Sequence, residues 1–253
     1  MSKLEQLRSI VKKLRSPDGC DWDKEQTHES LTPYLLEEVY EVIEAIENKD
    51  FDLLKEELGD LLLHVVFQAD LAEDNDKFNI EDSIDIINHK LISRHPHIFK
   101  NKNDKSWDEG NWELQKQKEK KRDSILDGVP TNLPALLKAR RIQEKASSVG
   151  FDWNNTERVM DKVDEEISEL KEAIDKKEGI EEELGDVLFT IVNLSRHLNI
   201  NPDQSLRSSI NKFMRRFKLI EKDLQSKKID MKKLSLNELD EIWEENKKNN
   251  SII

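Results

Sequence analysis

The chain has 253 residues, of which 38% are charged, and it carries a formal net charge of −13 at neutral pH. Its seven glycines and six prolines provide little turn chemistry, so the composition favours an all-α fold. The acidic balance argues against a nucleic-acid-binding protein, which needs a basic surface, and no apolar stretch approaches the roughly 20 residues that a membrane helix requires.

The amino-terminal segment and the single cysteine bear on the cellular compartment. Residues 1–15 alternate apolar and charged side chains without a continuous apolar run, so we expect no secretory signal peptide. Cys20 has no second cysteine with which to form an intramolecular disulfide, which suits a reducing environment. We therefore expect a cytoplasmic protein.

The first half of the chain predicts a series of helices with charged residues at helical spacing. A short leading helix at 4–14 precedes two apolar-periodic helices that carry acidic pairs. A Lys/Arg helix follows, then a loop around Pro96, and then a Trp/Lys helix. The charged and aromatic landmarks are, in chain order, Glu38, Glu41, Glu57, Asp60, Lys90, Arg94, Trp112 and Lys116.

The second half repeats these landmarks in the same order. The sequence Glu-Leu-Gly-Asp occurs at 57–60 and again at 183–186. The counterparts of the other landmarks are Glu166, Glu169, Glu183, Asp186, Lys212, Arg216, Trp243 and Lys247. Turn chemistry around Gly128 and Pro130 places the boundary near residue 130. We predict two tandem all-α helical bundles, residues 1–130 and 131–253.

The acidic pairs predict a metal site in each repeat. Residues three apart share a helix face, so Glu166 projects with Glu169, and Glu183 projects with Asp186. A tight turn around Gly179 would set the two helices antiparallel, so that four carboxylates converge. Acidic pairs are common on solvated helix faces, but a converging cluster repels itself unless a cation neutralises it. Oxygen ligands select Mg²⁺, or Mn²⁺ as a substitute, over zinc.

Gly59 and Gly185 stand inside the second acidic helix of each repeat. A glycine there costs about 1 kcal/mol relative to alanine. Close approach of a neighbouring helix would explain both residues, and we expect such a contact.

The basic and aromatic landmarks suggest contacts with a substrate. Lys212 and Arg216 are four apart, a spacing suited to two oxygens of a polyphosphate, although surface salt bridges would also explain them. Trp243 and Lys247 have the same spacing, so the indole could stack on a base or ribose while the ammonium meets phosphate. Core packing of Trp243 is the competing interpretation, and both remain open.

These residues make the sequence resemble the MazG family of nucleoside triphosphate pyrophosphohydrolases, whose mark is an ExxE motif followed after a spacer by ExxD. Both repeats carry the two motifs. The stretches at 20–28, 94–99 and 149–153 are also similar to family sequences, so the resemblance covers nearly the whole chain.

The resemblance implies an all-α fold, usually a homodimer, and Mg²⁺-dependent cleavage of nucleoside triphosphates, including ATP, to the monophosphate and pyrophosphate. Water activated by the metal would attack phosphorus as pyrophosphate leaves. The implied catalytic residues and metal ligands are Glu166, Glu169, Glu183 and Asp186. The implied substrate-binding residues are Lys162, Glu165, Lys212, Arg216, Trp243 and Lys247. A second, weaker site would comprise Glu38, Glu41, Glu57, Asp60, Lys90, Arg94, Trp112 and Lys116.

The two repeats differ at positions beside the acidic residues. Lys162 lies one turn before Glu166, where the first repeat has Tyr34, and a cation there would help to hold a triphosphate. We therefore predict that the second repeat carries the main activity. His64, whose counterpart is Thr190, is interpreted as a packed or surface residue rather than a ligand.

Three alternatives bear on function. The first is a narrower pyrophosphohydrolase acting on dUTP or a modified nucleotide, since carboxylates recognise metal and phosphate rather than base. The second is a non-catalytic nucleotide or metal sensor that binds a protein partner. A di-iron carboxylate bundle is the third, and the lack of Glu-x-x-His at these motifs argues against it.

Overall fold

Helices are the regular elements throughout the part of the chain that the computed structural model describes, residues 1–99, 113, 117 and 119–249. The chain divides into two units, Met1–Trp107 and Asp108–Ile253. The predicted all-α class is confirmed. Within the described ranges, no helix combines the length and the apolar character needed to cross a membrane.

The first unit is built around a helical hairpin. Its described helices are α1 (Lys3–Leu14), α2 (Asp21–Glu25), α3 (Thr32–Asn48), α4 (Phe51–Asp74), α5 (Ile80–Arg94) and α6 (Pro96–Phe99). The α3–α4 turn is short because Lys49 ends α3 in the left-handed conformation and the Asp50 side chain caps α4. α1 packs against α4 over a core of Val11, Leu31, Val66, Phe67 and Leu71.

The second unit contains a matching hairpin. Its described elements are α7 (Ala135–Ser147), α8 (Thr156–Lys176), α9 (Ile180–His197), α10 (Pro202–Ser226), a 3₁₀ turn (Met231–Lys233) and α11 (Leu236–Asn249). Lys177 ends α8 at φ 58°, and Gly179 precedes α9 at φ 71°. This tight turn agrees with the turn predicted around Gly179. α7 packs against α9, and α10 packs against α11.

The structural division of the chain lies before the predicted repeat boundary near residue 130. Lys145 on α7 donates hydrogen bonds to the Glu113 carboxylate at 2.8 Å and to the Ile125 carbonyl at 3.0 Å. These bonds attach the segment before residue 130 to the second unit. The boundary between the repeats at 130 therefore stays a prediction about the duplication of the sequence.

The loop predicted around Pro96 is wrong in part. Pro96–Phe99 forms the short helix α6, because proline fixes a helical φ at a first-turn position where its missing N–H is not needed. His95 ends α5, and its Nδ1 lies 2.7 Å from the Leu91 carbonyl oxygen. The segment that follows His95 is therefore helical as far as Phe99.

Candidate functional site

The α8–α9 hairpin brings three of the predicted carboxylates together. Oxygen atoms of Glu166, Glu183 and Asp186 lie within 4.8 Å of one another. Burial raises the pKa of Glu183, and the negative charges of Glu169, Asp186 and Glu166 raise that pKa further. Glu169 acts on the cluster through its charge, although it is not one of the three converging residues. An all-oxygen cluster with mutual repulsion fits a hard divalent cation such as Mg²⁺.

The α3–α4 hairpin builds a similar cluster in the first unit. Oxygen atoms of Glu38, Glu41 and Glu57 lie within 4.8 Å of one another. Burial raises the pKa of Glu38, and the charges of Asp60, Glu41 and Glu57 add to the increase. Asp60 thus acts electrostatically on this cluster, and the donor set again suits a hard cation.

His64 lies beside the cluster of the first unit. It is buried, with its Nε2 4.0 Å from Oε1 of Glu38, and burial lowers its pKa. Its Nδ1 is buried and has no hydrogen-bond partner among the described residues. The position agrees with a packed histidine.

Lys162 contacts the cluster of the second unit directly. Its Nζ lies 2.8 Å from Glu165 and 2.7 Å from Glu166, and hydrogen bonds to these two carboxylates raise the pKa of Lys162. Tyr34, at the matching position of the first unit, instead packs edge-to-face on Trp22, with ring centroids 5.7 Å apart. The cluster of the second unit therefore has a positive charge beside it at Lys162, whereas the matching position of the first unit has the uncharged Tyr34.

Among the described residues, no neighbouring helix approaches Gly59 or Gly185, so the expected close contact is not found there. A side-chain carbon at either position would meet no atom of the described residues within 4 Å. Packing against the part of the chain that the structure describes therefore does not account for the two glycines.

The predicted basic and aromatic residues of the second unit lie on α10 and α11. The Arg216 guanidinium lies 6.0 Å from the centre of the Trp243 ring, and Phe213 packs on that ring at 5.1 Å. Lys247 pairs with Glu244 at 3.0 Å, and Lys212 is exposed. Among the described residues, neither Lys212 nor Arg216 forms an ion pair with the carboxylate cluster. The contacts with Phe213 and Arg216 show that Trp243 packs in part against α10.

The corresponding residues of the first sequence repeat, 1–130, are described only in part. Lys90 and Arg94 lie half-buried on α5. Trp112 and Lys116 lie outside the described residues, so their predicted positions stay predictions.

A cavity of about 270 Å³ lies between α7, the segment before α8, and α9. Its polar members include Gln143, Thr190 and Asn193, which are all buried. Its aromatic members are Phe151, Trp153 and Phe189. Apolar walls with a few buried polar groups are typical of small-molecule sites.

The segment that carries Phe151 and Trp153 is held by Asp152. The Asp152 carboxylate accepts hydrogen bonds from Arg196 at 2.5 Å and from His197 at 3.0 Å. Burial alone would raise the pKa of Asp152, but these hydrogen bonds, with one from Ser147, outweigh it and lower the pKa. Asp152 thus fixes the two aromatic residues at the mouth of the cavity.

Sequence reasoning did not identify the residues of this cavity as a group. Gln143 and Asn193 come from separate helices, and their contact with one cavity depends on how α7 packs against α9. The available signal was the spacing of Asp186, Thr190 and Asn193, which places them on one face of a helix.

Comparison with known proteins shows what the chain is similar to. A family model described as the MazG nucleotide pyrophosphohydrolase domain matches residues 26–99 and 154–220, which contain the two carboxylate hairpins. The nucleoside triphosphate pyrophosphohydrolase/pyrophosphatase MazG of Thermotoga maritima is 51% identical over 96% of this chain and 95% of its own length. The nucleoside triphosphate pyrophosphohydrolase of Escherichia coli K12 is 41% identical over 98% of each chain.

Proposed function

Because the chain belongs to the MazG nucleotide pyrophosphohydrolase family, we propose that it hydrolyses nucleoside triphosphates to the monophosphate and pyrophosphate. The observation that carries this proposal is the convergence of Glu166, Glu183 and Asp186, whose oxygens lie within 4.8 Å of one another. Such a group of carboxylates on two rigid helices can hold a divalent cation at the triphosphate.

Mg²⁺ is the proposed cofactor, with Mn²⁺ as a substitute, and Glu166, Glu169, Glu183 and Asp186 are the proposed ligands. When bound, the ion would neutralise triphosphate oxygens and lower the pKa of a water molecule. The carboxylates would orient the site, and one of the glutamates is proposed to accept the proton of the attacking water. The electrostatics of the cluster support this proposal, since burial, and after it the charges of neighbouring carboxylates, raise the pKa of Glu183, and a bound cation would offset both effects.

Lys162 and Glu165 are proposed to lie at the phosphate end of the substrate. The Lys162 ammonium is already held beside the cluster by Glu166, which places a positive charge where the triphosphate would be bound. Lys212, Arg216, Trp243 and Lys247 are proposed as further substrate contacts. Their support is the repetition of these residues in the first sequence repeat, at Lys90, Arg94, Trp112 and Lys116.

The second unit is proposed to carry the main activity. Both units have three converging carboxylates, but only the second combines them with a lysine at the position of Lys162. The first unit, with Tyr34 there, is proposed to be weaker or structural.

A homodimer is proposed from the apolar surface of the chain. Leu206, Ile210 and Met214 follow one face of α10, and each is about half exposed. An uncovered stripe of this kind is typical of a helix that packs against a partner. Gly59 and Gly185 also leave open space for a helix of another chain. A cytoplasmic location and the lack of a nucleic-acid partner stay predictions from composition.

The experiment that tests the proposed function measures pyrophosphate release from ribo- and deoxynucleoside triphosphates. The protein is assayed with Mg²⁺, with EDTA, and as the matched variants Glu169→Gln and Glu41→Gln. We expect Mg²⁺-dependent release of monophosphate plus pyrophosphate, strongly reduced by Glu169→Gln and little changed by Glu41→Gln.

The other outcomes have distinct meanings. Loss of activity in Glu41→Gln alone would move the main site to the first unit. Binding of Mg²⁺-nucleotide without pyrophosphate release would contradict the hydrolase and favour a sensor. Turnover of a single nucleotide would favour the narrower pyrophosphohydrolase.

A further inference from the structure

Two positive charges would compete for the carboxylate of Glu166 in the second unit. This side chain is 8% exposed and belongs to the three converging residues that are proposed to hold a metal ion. The same carboxylate pairs with Lys162, whose Nζ lies 2.7 Å from Oε1 of Glu166. The Lys162 ammonium therefore occupies a carboxylate that the metal ion would also use.

A divalent cation and an ammonium group oppose each other at one carboxylate. Both are positive, and like charges a few ångströms apart repel more strongly where little water screens them. A metal ion bound by Glu166 therefore weakens the contact of Glu166 with Lys162. Because this contact must be loosened or given up, Lys162 lowers the affinity of the cluster for a metal ion in the protein without substrate.

Glu165 provides Lys162 with a second carboxylate. The Lys162 Nζ lies 2.8 Å from Oε1 of Glu165, whose side chain is 55% exposed. Glu165 is not one of the three converging residues. Lys162 can therefore release Glu166 and still keep an anionic partner beside the cluster. The ammonium has a place on the cluster and a place at its edge.

A bound triphosphate reverses the effect of Lys162 on the metal ion. In the proposed complex the phosphate oxygens contact both the metal ion and the ammonium, so their negative charges offset the repulsion between the two cations. The lysine that opposes the metal ion in the protein without substrate then favours the complex of metal and triphosphate. By thermodynamic linkage, each ligand then strengthens the binding of the other by the same factor.

We propose that Lys162 makes metal binding in the second unit depend on the triphosphate, because Lys162 competes with the metal ion for Glu166 until the substrate phosphates take the ammonium. The inference rests on the proposed function, and it adds the regulation of that site. The second unit binds the metal ion weakly by itself and tightly together with a triphosphate.

The first unit lacks the residue that produces this coupling. Tyr34 stands four residues before Glu38, at the position that Lys162 has before Glu166, and packs on Trp22. Among the described residues, no lysine or arginine forms an ion pair with the carboxylate cluster of the first unit. The affinity of that cluster for a metal ion should therefore depend little on the triphosphate.

The test measures two affinities of the full chain, with Mn²⁺ as the metal probe. Glu41→Gln removes one carboxylate of the first cluster, so the second cluster is observed in this background. The affinity for Mn²⁺ alone is obtained from the electron paramagnetic resonance signal of the free ion. The second affinity, measured by calorimetry in saturating Mn²⁺, is that for an ATP analogue with a methylene group in place of the oxygen between the α and β phosphates. This analogue cannot be hydrolysed at that bond.

Lys162→Met should shift the two affinities in opposite directions. We expect Mn²⁺ alone to bind about tenfold more tightly and the ATP analogue to bind about tenfold more weakly, within the usual range of coupling between two ligands. Lys162→Arg keeps the charge and should retain the coupling. Lys171→Met, an exposed change on the same helix, is the matched control and should change neither affinity.

The converse variant transfers the lysine to the first unit. Glu183→Gln removes one carboxylate of the second cluster, so the first cluster is observed in this background. Tyr34→Lys should then weaken the binding of Mn²⁺ alone, because the new lysine lies four residues before Glu38. Tyr34→Phe keeps the ring without a charge and should leave the affinity unchanged.

Three results would overturn the proposal. Weaker binding of both ligands in Lys162→Met would make Lys162 a supporting residue of the cluster. An unchanged affinity for Mn²⁺ alone would make it a substrate contact without influence on the metal ion. A wild type that binds Mn²⁺ but not the ATP analogue would remove the coupling itself.

Failure of the proposed hydrolase is recognised separately, since the wild type would then release no pyrophosphate from any nucleotide. The two affinities decide the coupling in that case as well, because neither measurement depends on turnover. Absence of Mn²⁺ binding in both wild type and Lys162→Met would contradict the metal site and the coupling together.

Discussion

At the scale of one residue, Lys162 partly neutralises the negative charge of the second cluster when no metal ion is bound. Its ammonium contacts Glu165 and Glu166 at 2.8 and 2.7 Å. Replacement by methionine removes this charge, which is also proposed to hold the triphosphate, so we expect kcat/KM to fall about 10- to 100-fold, as for a lost charge-assisted hydrogen bond. Lys171→Met, an exposed change on the same helix, should leave kcat/KM unchanged. Equal effects of the two variants would contradict a specific role of Lys162.

At Glu183, the destabilising effect of a buried negative charge beside other carboxylates can be measured. Its pKa is raised by burial and by the charges of neighbouring carboxylates, so ionised Glu183 destabilises the metal-free fold. In EDTA at neutral pH we expect Glu183→Gln to have a higher Tm than wild type. Mg²⁺ should raise the Tm of wild type and have less effect on the variant.

The pH dependence of this difference has a definite sign. A raised folded-state pKa means that the folded protein holds the proton more tightly, so wild type recovers stability as pH falls through that pKa. The Tm advantage of Glu183→Gln should therefore shrink as pH is lowered from 7 into the acidic range. Glu221→Gln, an exposed change on α10, should show no such trend. A Tm advantage of Glu183→Gln that does not depend on pH would contradict a raised pKa of Glu183.

At the scale of elements, the two carboxylate hairpins share the way in which their first helix ends. Lys49 and Lys177 both adopt positive φ, and their N–H groups bond to the carbonyls of an Ala-Ile pair in the last turn. A left-handed lysine is strained, so Lys177→Gly should stabilise the protein by about 0.5 kcal/mol. Gly179→Ala, at φ 71°, should destabilise it by about 1 kcal/mol. Urea denaturation in EDTA measures both, and changes of the same sign would contradict this account.

The sequence predicted these hairpins because their signals are local. Acidic pairs at a spacing of three, apolar periodicity and a turn around Gly179 determine the helices, their antiparallel arrangement and the convergence of Glu166 with Glu183 and Asp186. The helical character of the segment after His95 was not predicted, because a proline between two histidines is typical of a loop. The Lys162–Glu166 ion pair follows from their spacing of four, but its role in balancing the cluster required the structure.

The cavity could not be predicted, because it depends on contacts between separate elements. In the sequence, Gln143 resembles an ordinary polar residue on the exposed face of an amphipathic helix. Only the packing of α7 against α9 buries it and gives its Nε2 the Phe189 carbonyl as a partner. The glycines show the opposite case, since Gly59 and Gly185 suggested a close helix contact that the described residues do not make.

At the scale of the whole molecule, exposed apolar side chains are the feature that packing within each described unit does not explain. Leu184, Leu188 and Ile191 follow one face of α9, and Leu206, Ile210 and Met214 follow one face of α10, all 42–54% exposed. Amphipathic helices normally bury such faces. The open space at Gly59 and Gly185 adds positions at which another backbone could come close. The proposed homodimer would account for these features together.

The dimer can be tested with two neighbouring substitutions on α10. Ile210→Glu places a charge in the middle of the apolar face, which is costly to bury in an interface, so we expect the sedimentation mass to shift from dimer to monomer. Ser209→Glu adds the same charge at an exposed polar position one residue away and should leave the mass unchanged. A monomeric wild type would contradict the homodimer itself. A dimer that both variants leave intact would instead exclude the apolar face of α10 from the interface. The apolar face of α9 and the open space at Gly59 and Gly185 would then be the remaining candidate surfaces.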